Sequence, residues 1–302
     1  MSIVVKIESR VQTNVPMWKK NTLRIGGDAA FAYSPSSESD LVAFLKSGQH
    51  LDSPFLFLGL GSNLLVRDGG FPGLVIYTHR GLSDLRISDV GGERLIYASA
   101  GVPVPKLARF AATKGFHGGE FMAGIPGTVG GALTMNAGCY GQETWDHIES
   151  VKTVTREGIV RQRLPSDFSV SYRCVKPNFD GEEFFLGGTF RFSLGDSDLS
   201  REKIKDLLRK RVAEQPLGQP NCGSVFQNPN GYYAARLIEE CGFKGRSIGG
   251  ASVSTKHANF IVNCGGATSL DVENLMIEIK KTVKRRFKID LQTEVRVVGE
   301  SL

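Results

Sequence analysis

Three side chains in this sequence could hold or move charge in a reaction. Ser224 follows Gly223 and precedes Val225 and Phe226, within the run Asn221, Cys222, Gly223, Ser224, Val225, Phe226, Gln227, Asn228, Pro229. Its hydroxyl could serve a reaction centre, yet a Gly-Ser pair before two apolar residues also describes a turn entering a strand. No Gly-x-Ser-x-Gly elbow surrounds it, which speaks against a hydrolase nucleophile. Arg173, in Ser171-Tyr172-Arg173, could face a ligand or be an ordinary solvated arginine. Glu294 stands between Thr293 and Val295, where a carboxylate is unexpected unless one strand face is exposed. The five histidines, His50, His79, His117, His147 and His257, show no His-Glu-x-x-His or other ligating spacing, so no metal site is expected.

Two glycine-rich segments point to a ligand. Gly59, Leu60, Gly61, Ser62 and Asn63 follow the apolar run Phe55–Leu58. Small residues after a strand let backbone N–H groups wrap a phosphate. Leu64 stands where a dinucleotide fingerprint would carry a third glycine, and no Lys-Ser/Thr follows, so a plain turn explains the segment equally well. The second segment, Ala123 to Gly138, holds Gly124, Ile125, Pro126, Gly127, Thr128, Gly130, Gly131 and Ala132. So many small residues, with Pro126 fixing one turn, suit a backbone brought close to a flat or phosphorylated ligand; a tight structural turn is the alternative. Two such loops, separated by a βα unit, suggest one extended ligand with a diphosphate. FAD fits that description better than a mononucleotide.

The rest of the chain must position these groups. Its 302 residues suffice for two or three modest domains. Apolar residues make up 41% and charged residues 23%, as in ordinary globular chains, so disorder is not expected. The 37 basic and 31 acidic residues leave a charge of +6, which suits anionic ligands such as nucleotides. The basic residues are dispersed, except Lys280, Lys281, Lys284, Arg285 and Arg286, which end an expected helix and complement its dipole. Nucleic acid is therefore not an expected partner. Cys139, Cys174, Cys222, Cys241 and Cys264 are odd in number and form no Cys-x-x-Cys, which argues against a disulfide framework or a zinc site. Thiols of this kind suit a reducing compartment. Met1–Glu8 lacks the apolar stretch of a signal peptide, and no run approaches the ~18 apolar residues of a membrane span. A cytoplasmic protein without a membrane partner is expected.

The periodicities predict a helix over Glu38–Lys46 closed by Gly48, and strands at Phe55–Leu58, Leu74–Tyr77 and Arg94–Ala100. A helix over Val104–Lys114, stopped by Gly115, should precede the second glycine segment. Strands are expected at Ile148–Thr155, Ile159–Leu164 and Phe184–Phe192. Ser200 should cap a helix with Ile204, Leu207, Leu208 and Val212 on one face. Helices over Tyr232–Cys241 and Ser269–Phe287 should follow. A strand over Leu291–Val298 should close the chain, with Gln292, Glu294 and Arg296 on one face and the apolar residues on the other.

Taken in order, these segments resemble the UDP-N-acetylenolpyruvoylglucosamine reductases of peptidoglycan synthesis. The matching stretches are Thr22–Gly27, Gly59–Leu65, Ala123–Ala132, Asn136–Gly138, Tyr172-Arg173, Gly223–Phe226 with Asn228-Pro229, His257–Asn263 and Glu294-Val295. The resemblance implies an α+β chain: a two-subdomain FAD-binding fold of the vanillyl-alcohol-oxidase type, plus a C-terminal α+β substrate domain. The boundaries expected are 1–80, 81–195 and 196–302. It implies non-covalent FAD, NADPH as co-substrate, a UDP-sugar substrate and a monomer, in the family's shorter second structural type. Cofactor contacts are expected from Gly59, Gly61, Ser62, Asn63 and Leu64, from Gly124 to Thr128, and from Gly130, Gly131, Ala132 and Gly138. Carried over by motif, Ser224 is the proton donor, and Arg173 and Glu294 stabilise an enolate-like intermediate. Tyr172, Asn228, Gln227 and Tyr140 are expected at the substrate. Gln227 departs from the pattern, standing where the family often has a lysine or arginine.

The rival readings are an FAD oxidase of the same fold, a non-catalytic nucleotide-binding module and, more distantly, a nucleic-acid binder. The combination of Gly223–Phe226 with Glu294 speaks against the first.

Overall fold

The computed structural model describes residues 10–48 and 52–302. Met1–Glu8, expected to lack a signal peptide, and His50 lie outside the described residues. The chain divides into two units. One holds residues 10–12, Ala32–Gly59 and Leu74–Lys210; the other holds Thr13–Phe31, Leu60–Gly73 and Arg211–Leu302.

The first unit is built on a five-stranded antiparallel sheet. Its strand order is Val160–Arg163, Ile148–Thr155, Glu183–Phe190, Glu93–Ser99, Leu85–Val90. The last two strands join through Gly91 and Gly92, both at positive φ, as a two-residue hairpin requires. The helix Val104–Thr113 repeats apolar residues at Val104, Leu107, Ala108, Ala111 and Ala112, the spacing of one helical face. That face packs with Ile96, Ala98, Val129, Leu133, Val151 and Phe190 in one core. A parallel strand pair aligns Phe55–Leu58 with Leu74–Tyr77 and ends directly at Gly59. The helix Glu38–Lys46 matches its expected bounds. Ser37 Oγ accepts from Asp40 N at 3.1 Å to start it.

Several expectations change. The helix expected to be capped by Ser200 begins four residues earlier than that cap implies and spans Ser197–Glu214. Asp196 Oδ1 accepts from the N–H groups of Asp198 and Leu199, taking the capping role. Ser200 is buried and donates instead to the buried carboxylate of Glu120. On the expected apolar face, Ile204 is buried but Val212 is 59% exposed. The second glycine segment is not one loop, because Val129–Met135 is helical. A hairpin of Phe168–Ser171 with Cys174–Pro177 appears where no strand was expected.

The second unit has its own core. The helix Ser269–Phe287 buries Val272, Leu275, Met276, Ile279 and Val283 against Ala234, Leu237 and Ile238 of the helix Ala234–Glu240. Thr268 and Asp271 form a reciprocal capping box at its start. Lys284, Arg285 and Arg286 lie in its last turn, facing solvent, as the dipole favours. A three-stranded antiparallel sheet (Ser247–Ile248, Ala251–Val253, Ile261–Asn263) and a parallel pair (Leu64–Val66 with Arg296–Val298) complete the unit. Among the described residues no helix is long and apolar enough to cross a membrane.

Candidate active site

In the first unit the two glycine segments meet. A methyl carbon on Gly59 would collide with Thr128 Oγ1. Thr128 is 2% exposed, and its hydroxyl has no hydrogen-bond partner. A buried unpaired hydroxyl costs about 1–3 kcal/mol, so it calls for an explanation. Gly131 lies exposed on the adjoining helix, with Thr128 Oγ1 the nearest atom, 3.9 Å from where its side chain would start. Ile125, Gly127 and Ala132 are buried beside them, and Pro126 is exposed.

Several of the other glycines answer to packing within the chain. A methyl on Gly130 would stand 2.9 Å from Ala100 Cβ. One on Gly124 would meet Tyr140 Cε2 at 2.8 Å and Cys139 Sγ at 3.0 Å. One on Gly138 would strike Gln142 O. Tyr140 therefore lies against the glycine segment, and its hydroxyl donates to Leu207 O at 2.7 Å.

Arg173 occupies the tip of the unexpected hairpin, between the paired residues Ser171 and Cys174. Its φ is +56°, a conformation usually left to glycine. The guanidinium donates through Nη1 to Asn136 O at 3.2 Å and through Nη2 to Gly138 O at 2.8 Å. It thereby grips the chain just after the Val129–Met135 helix. Tyr172, 42% exposed, holds its ring 4.8 Å from the Arg173 guanidinium carbon.

The second unit carries Ser224 and Glu294. Gly223 takes φ +77°, and Ser224 follows it half-buried. Glu294 N and Val295 N both donate to Val225 O, at 2.8 and 3.3 Å. Two N–H groups on one carbonyl are the mark of a β-bulge, which re-aims a side chain. The expected strand Leu291–Val298 is thus interrupted: only Arg296–Val298 is regular, and Thr293 makes a single bridge to Phe226. Asn63 joins the same group. Its Nδ2 donates to Glu294 O at 3.2 Å, and its carbonyl accepts from Arg296 N at 3.0 Å. Leu64 pairs with Arg296, while Gly61 O accepts from Thr22 N. Ser62 O lies 3.7 Å from where a side chain on Gly223 would begin. Gln227 N donates to Gln292 O at 2.9 Å. Asn228 Oδ1 accepts from Ala234 N, the first residue of the Ala234–Glu240 helix. Cys222, two residues before Ser224, is buried, and burial pushes its thiol up to about 12, so it stays protonated.

Asn259 was part of a matched stretch without a role; its buried side chain supports the Ser224 segment. Asn259 Oδ1 accepts from Phe226 N at 3.0 Å, Nδ2 donates to Phe226 O at 2.8 Å, and its own carbonyl accepts from Val225 N at 2.9 Å. Burial lowers the pKa of His257, so its Nδ1 remains an acceptor for Asn259 N. Asn259→Ala would orphan a buried donor and a buried acceptor, and should destabilise the protein by about 2–4 kcal/mol. Urea unfolding measures this; a change below about 0.5 kcal/mol would mean that the clamp is dispensable.

Comparison with known proteins gives the arrangement its context. Residues 215–298 match the C-terminal domain of UDP-N-acetylenolpyruvoylglucosamine reductase, and residues 29–162 match an FAD binding domain. A UDP-N-acetylenolpyruvoylglucosamine reductase of Nitrosomonas eutropha is 48% identical, over 97% of this chain and 90% of its own. This chain belongs to the UDP-N-acetylenolpyruvoylglucosamine reductase family. A second reductase of that name, from Thiobacillus denitrificans, is 49% identical over 97% of this chain and 94% of its own. The crystal structure of the reductase from Thermus caldophilus aligns with a TM-score of 0.80 at 29% identity, covering 96% of this chain and 99% of the other. As a member of the reductase family, the chain is an FAD-binding oxidoreductase with the expected α+β fold.

The first unit fits FAD on its own terms. Thr128 Oγ1 is an orphan donor where two glycine segments leave backbone without side chains. Thr128→Val should therefore act in opposite directions. It should stabilise the apoprotein by about 1 kcal/mol, by removing the orphan hydroxyl, and weaken FAD binding about tenfold. Melting of the apoprotein and fluorescence titration with FAD read the two effects. Unchanged FAD affinity would take Thr128 out of the cofactor site.

Proposed function

We propose that Ser224 delivers the proton that completes reduction of the enolpyruvyl group, with Arg173 and Glu294 supporting the charge that precedes it. The family reaction is the NADPH-dependent reduction of UDP-N-acetylglucosamine enolpyruvate to UDP-N-acetylmuramate, a step of peptidoglycan synthesis. Bound FAD would supply hydride carriage between NADPH and the terminal carbon of the double bond. The neighbouring carbon and its carboxylate then carry an extra electron pair. The Ser224 Oγ–H bond breaks as that carbon gains the proton, and solvent reprotonates the serine. A hydroxyl is a weak acid, but a carbanion-like centre is a strong base, so a positioned hydroxyl suffices. The Arg173 cation stabilises the developing carboxylate charge. A bare carboxylate would repel an enolate, so Glu294 serves in its protonated form or by orienting another donor.

The observation that carries this reading is the bulge at Glu294. It ties Glu294 and Asn63 by hydrogen bonds to one another and to Val225, the residue that follows Ser224, within the second unit. Cofactor contacts are assigned to Gly59, Gly61, Ser62, Asn63, Leu64, Gly124–Thr128, Gly130, Gly131, Ala132 and Gly138. Tyr172, Asn228, Gln227 and Tyr140 are assigned to the UDP-sugar. The reading includes a cytoplasmic monomer and the division at residues 80 and 195. Rapid mixing of the purified holoprotein, first with NADPH and then with the enolpyruvyl sugar, tests it. NADPH should bleach the flavin, and the sugar should restore its colour. A flavin bleached by NADPH and not restored by the sugar would overturn the reading.

A further inference from the structure

Arg173 sits in a cluster whose backbone is under unusual constraint. Among the described residues seven non-glycine residues have positive φ, and three of them are here: Asn136 at +42°, Tyr140 at +54° and Arg173 at +56°. Such a backbone conformation is disfavoured for any residue with a side chain, so neighbouring interactions must enforce it.

Glu143 stands at the centre of those interactions. Glu143 Oε2 accepts from Asn136 Nδ2 at 2.6 Å, and Glu143 Oε1 lies 3.9 Å from Arg173 Nη1. Asn136 is 1% exposed and connects the carboxylate to the arginine from the other side. Its Nδ2 also donates to Ser171 O in the Arg173 hairpin, its Oδ1 accepts from Trp145 N, and its carbonyl accepts from Arg173 Nη1. The short pair Gly138–Cys139 and Gln142–Glu143, turning through Tyr140 and Gly141, holds Gly138 O for Arg173 Nη2 and carries Glu143. Glu143 N also donates to Asp146 Oδ2 at 3.1 Å over the turn Thr144–His147.

We infer that Glu143 is a positioning residue for Arg173. It fixes Asn136, whose carbonyl and side chain set the hairpin tip, and it places a negative charge beside the guanidinium. A long arginine side chain surrenders rotamer freedom when it is held. Here that ordering is complete before substrate arrives, so the cation needs no rearrangement as charge develops. The inference rests on the assignment of Arg173 to the enolpyruvyl carboxylate.

A double-mutant cycle on the FAD-loaded protein tests it, using Glu143→Ala, Arg173→Ala, the double variant and Glu143→Gln. Three quantities are read: flavin reduction by NADPH, single-turnover reoxidation by the enolpyruvyl sugar, and calorimetric affinity for that sugar. Glu143→Ala should slow reoxidation about 10- to 100-fold, the loss expected of a displaced catalytic group. Flavin reduction should stay near wild type, and sugar affinity should change less than the reoxidation rate. In the Arg173→Ala background, removing Glu143 should add less than about twofold. Glu143→Gln keeps an acceptor for Asn136 Nδ2 and should recover most of the rate. Multiplicative losses in the double variant would overturn the inference while leaving the role of Arg173 intact. Equal losses in both half-reactions for both Glu143 variants would show that Glu143 serves only the fold. Normal reoxidation by Arg173→Ala alone would overturn the assignment of Arg173, and this inference with it.

Discussion

Ser224→Ala should leave flavin reduction by NADPH within about twofold of wild type and slow reoxidation by the enolpyruvyl sugar about 10³-fold. The separation of the two steps follows from the chemistry. Hydride transfer from NADPH creates no carbanion on the sugar, so a proton donor has nothing to do in that step. Reduction of the double bond leaves a carbon that must be protonated, and positioned proton transfer contributes roughly 10²- to 10⁴-fold. The local structure makes alanine a clean replacement. The Ser224 backbone lies between Gly223, which already absorbs the positive φ, and Val225 and Phe226, which Asn259 clamps. None of those hydrogen bonds uses the Ser224 hydroxyl. Sugar affinity should therefore change little, and the loss should appear in the rate. Similar losses in both half-reactions would mark Ser224 as a structural residue in a turn.

Helices were the most legible part of the fold, because their boundaries are local. Ser37 and Gly48 bracket Glu38–Lys46, and Thr268 with Asp271 opens Ser269–Phe287. Strands were legible where apolar runs were continuous, as at Phe55–Leu58 and Leu74–Tyr77. The hairpin carrying Arg173 was not, since Phe168–Ser171 is short, half polar and mostly exposed, and its turn lacks glycine. The strand at Leu85–Val90 was missed although Gly91-Gly92 is a strong hairpin signal.

The glycine stretch shows how composition can suggest the right ligand for a partly different reason. Gly124, Gly130 and Gly138 are required by Tyr140, Ala100 and Gln142, whereas Gly59 meets the orphan hydroxyl of Thr128. The stretch also contains a helix because Val129, Ala132 and Leu133 give it a buried face. Glu294 could be read as an outlier on a strand, but the bulge could not, since it depends on Val225 far away in sequence. Asn259 and Glu143 were invisible as supports for the same reason: their importance lies in tertiary partners such as Phe226 and Arg173. What the sequence could show was the order of the matched stretches, which carried the resemblance; family membership rests on the 48–49% identity to reductases over 97% of the chain.

Arg173→Gly separates the demands of the fold from those of the reaction. Glycine adopts φ near +56° freely, so the substitution should recover about 1–2 kcal/mol of backbone cost. It also removes the guanidinium bonds to Asn136 O and Gly138 O, each worth about 0.5–1.5 kcal/mol or somewhat more for a charged donor. These terms oppose one another, and thermal unfolding should show a net change of about 1 kcal/mol or less. Reoxidation by the enolpyruvyl sugar should nevertheless fall about 10²- to 10³-fold, the usual loss when a donor to developing negative charge is removed. Flavin reduction should stay near wild type. Arg173→Lys should recover little of the rate, because one ammonium cannot reproduce two Nη contacts to two carbonyls in a planar fork. An arginine kept only for structure would give the reverse pattern: stability would drop, and both half-reactions would decline together. A protein equally stable, equally quick to accept hydride and slow only in returning colour to its flavin would place the cation of Arg173 at the carboxylate where charge develops.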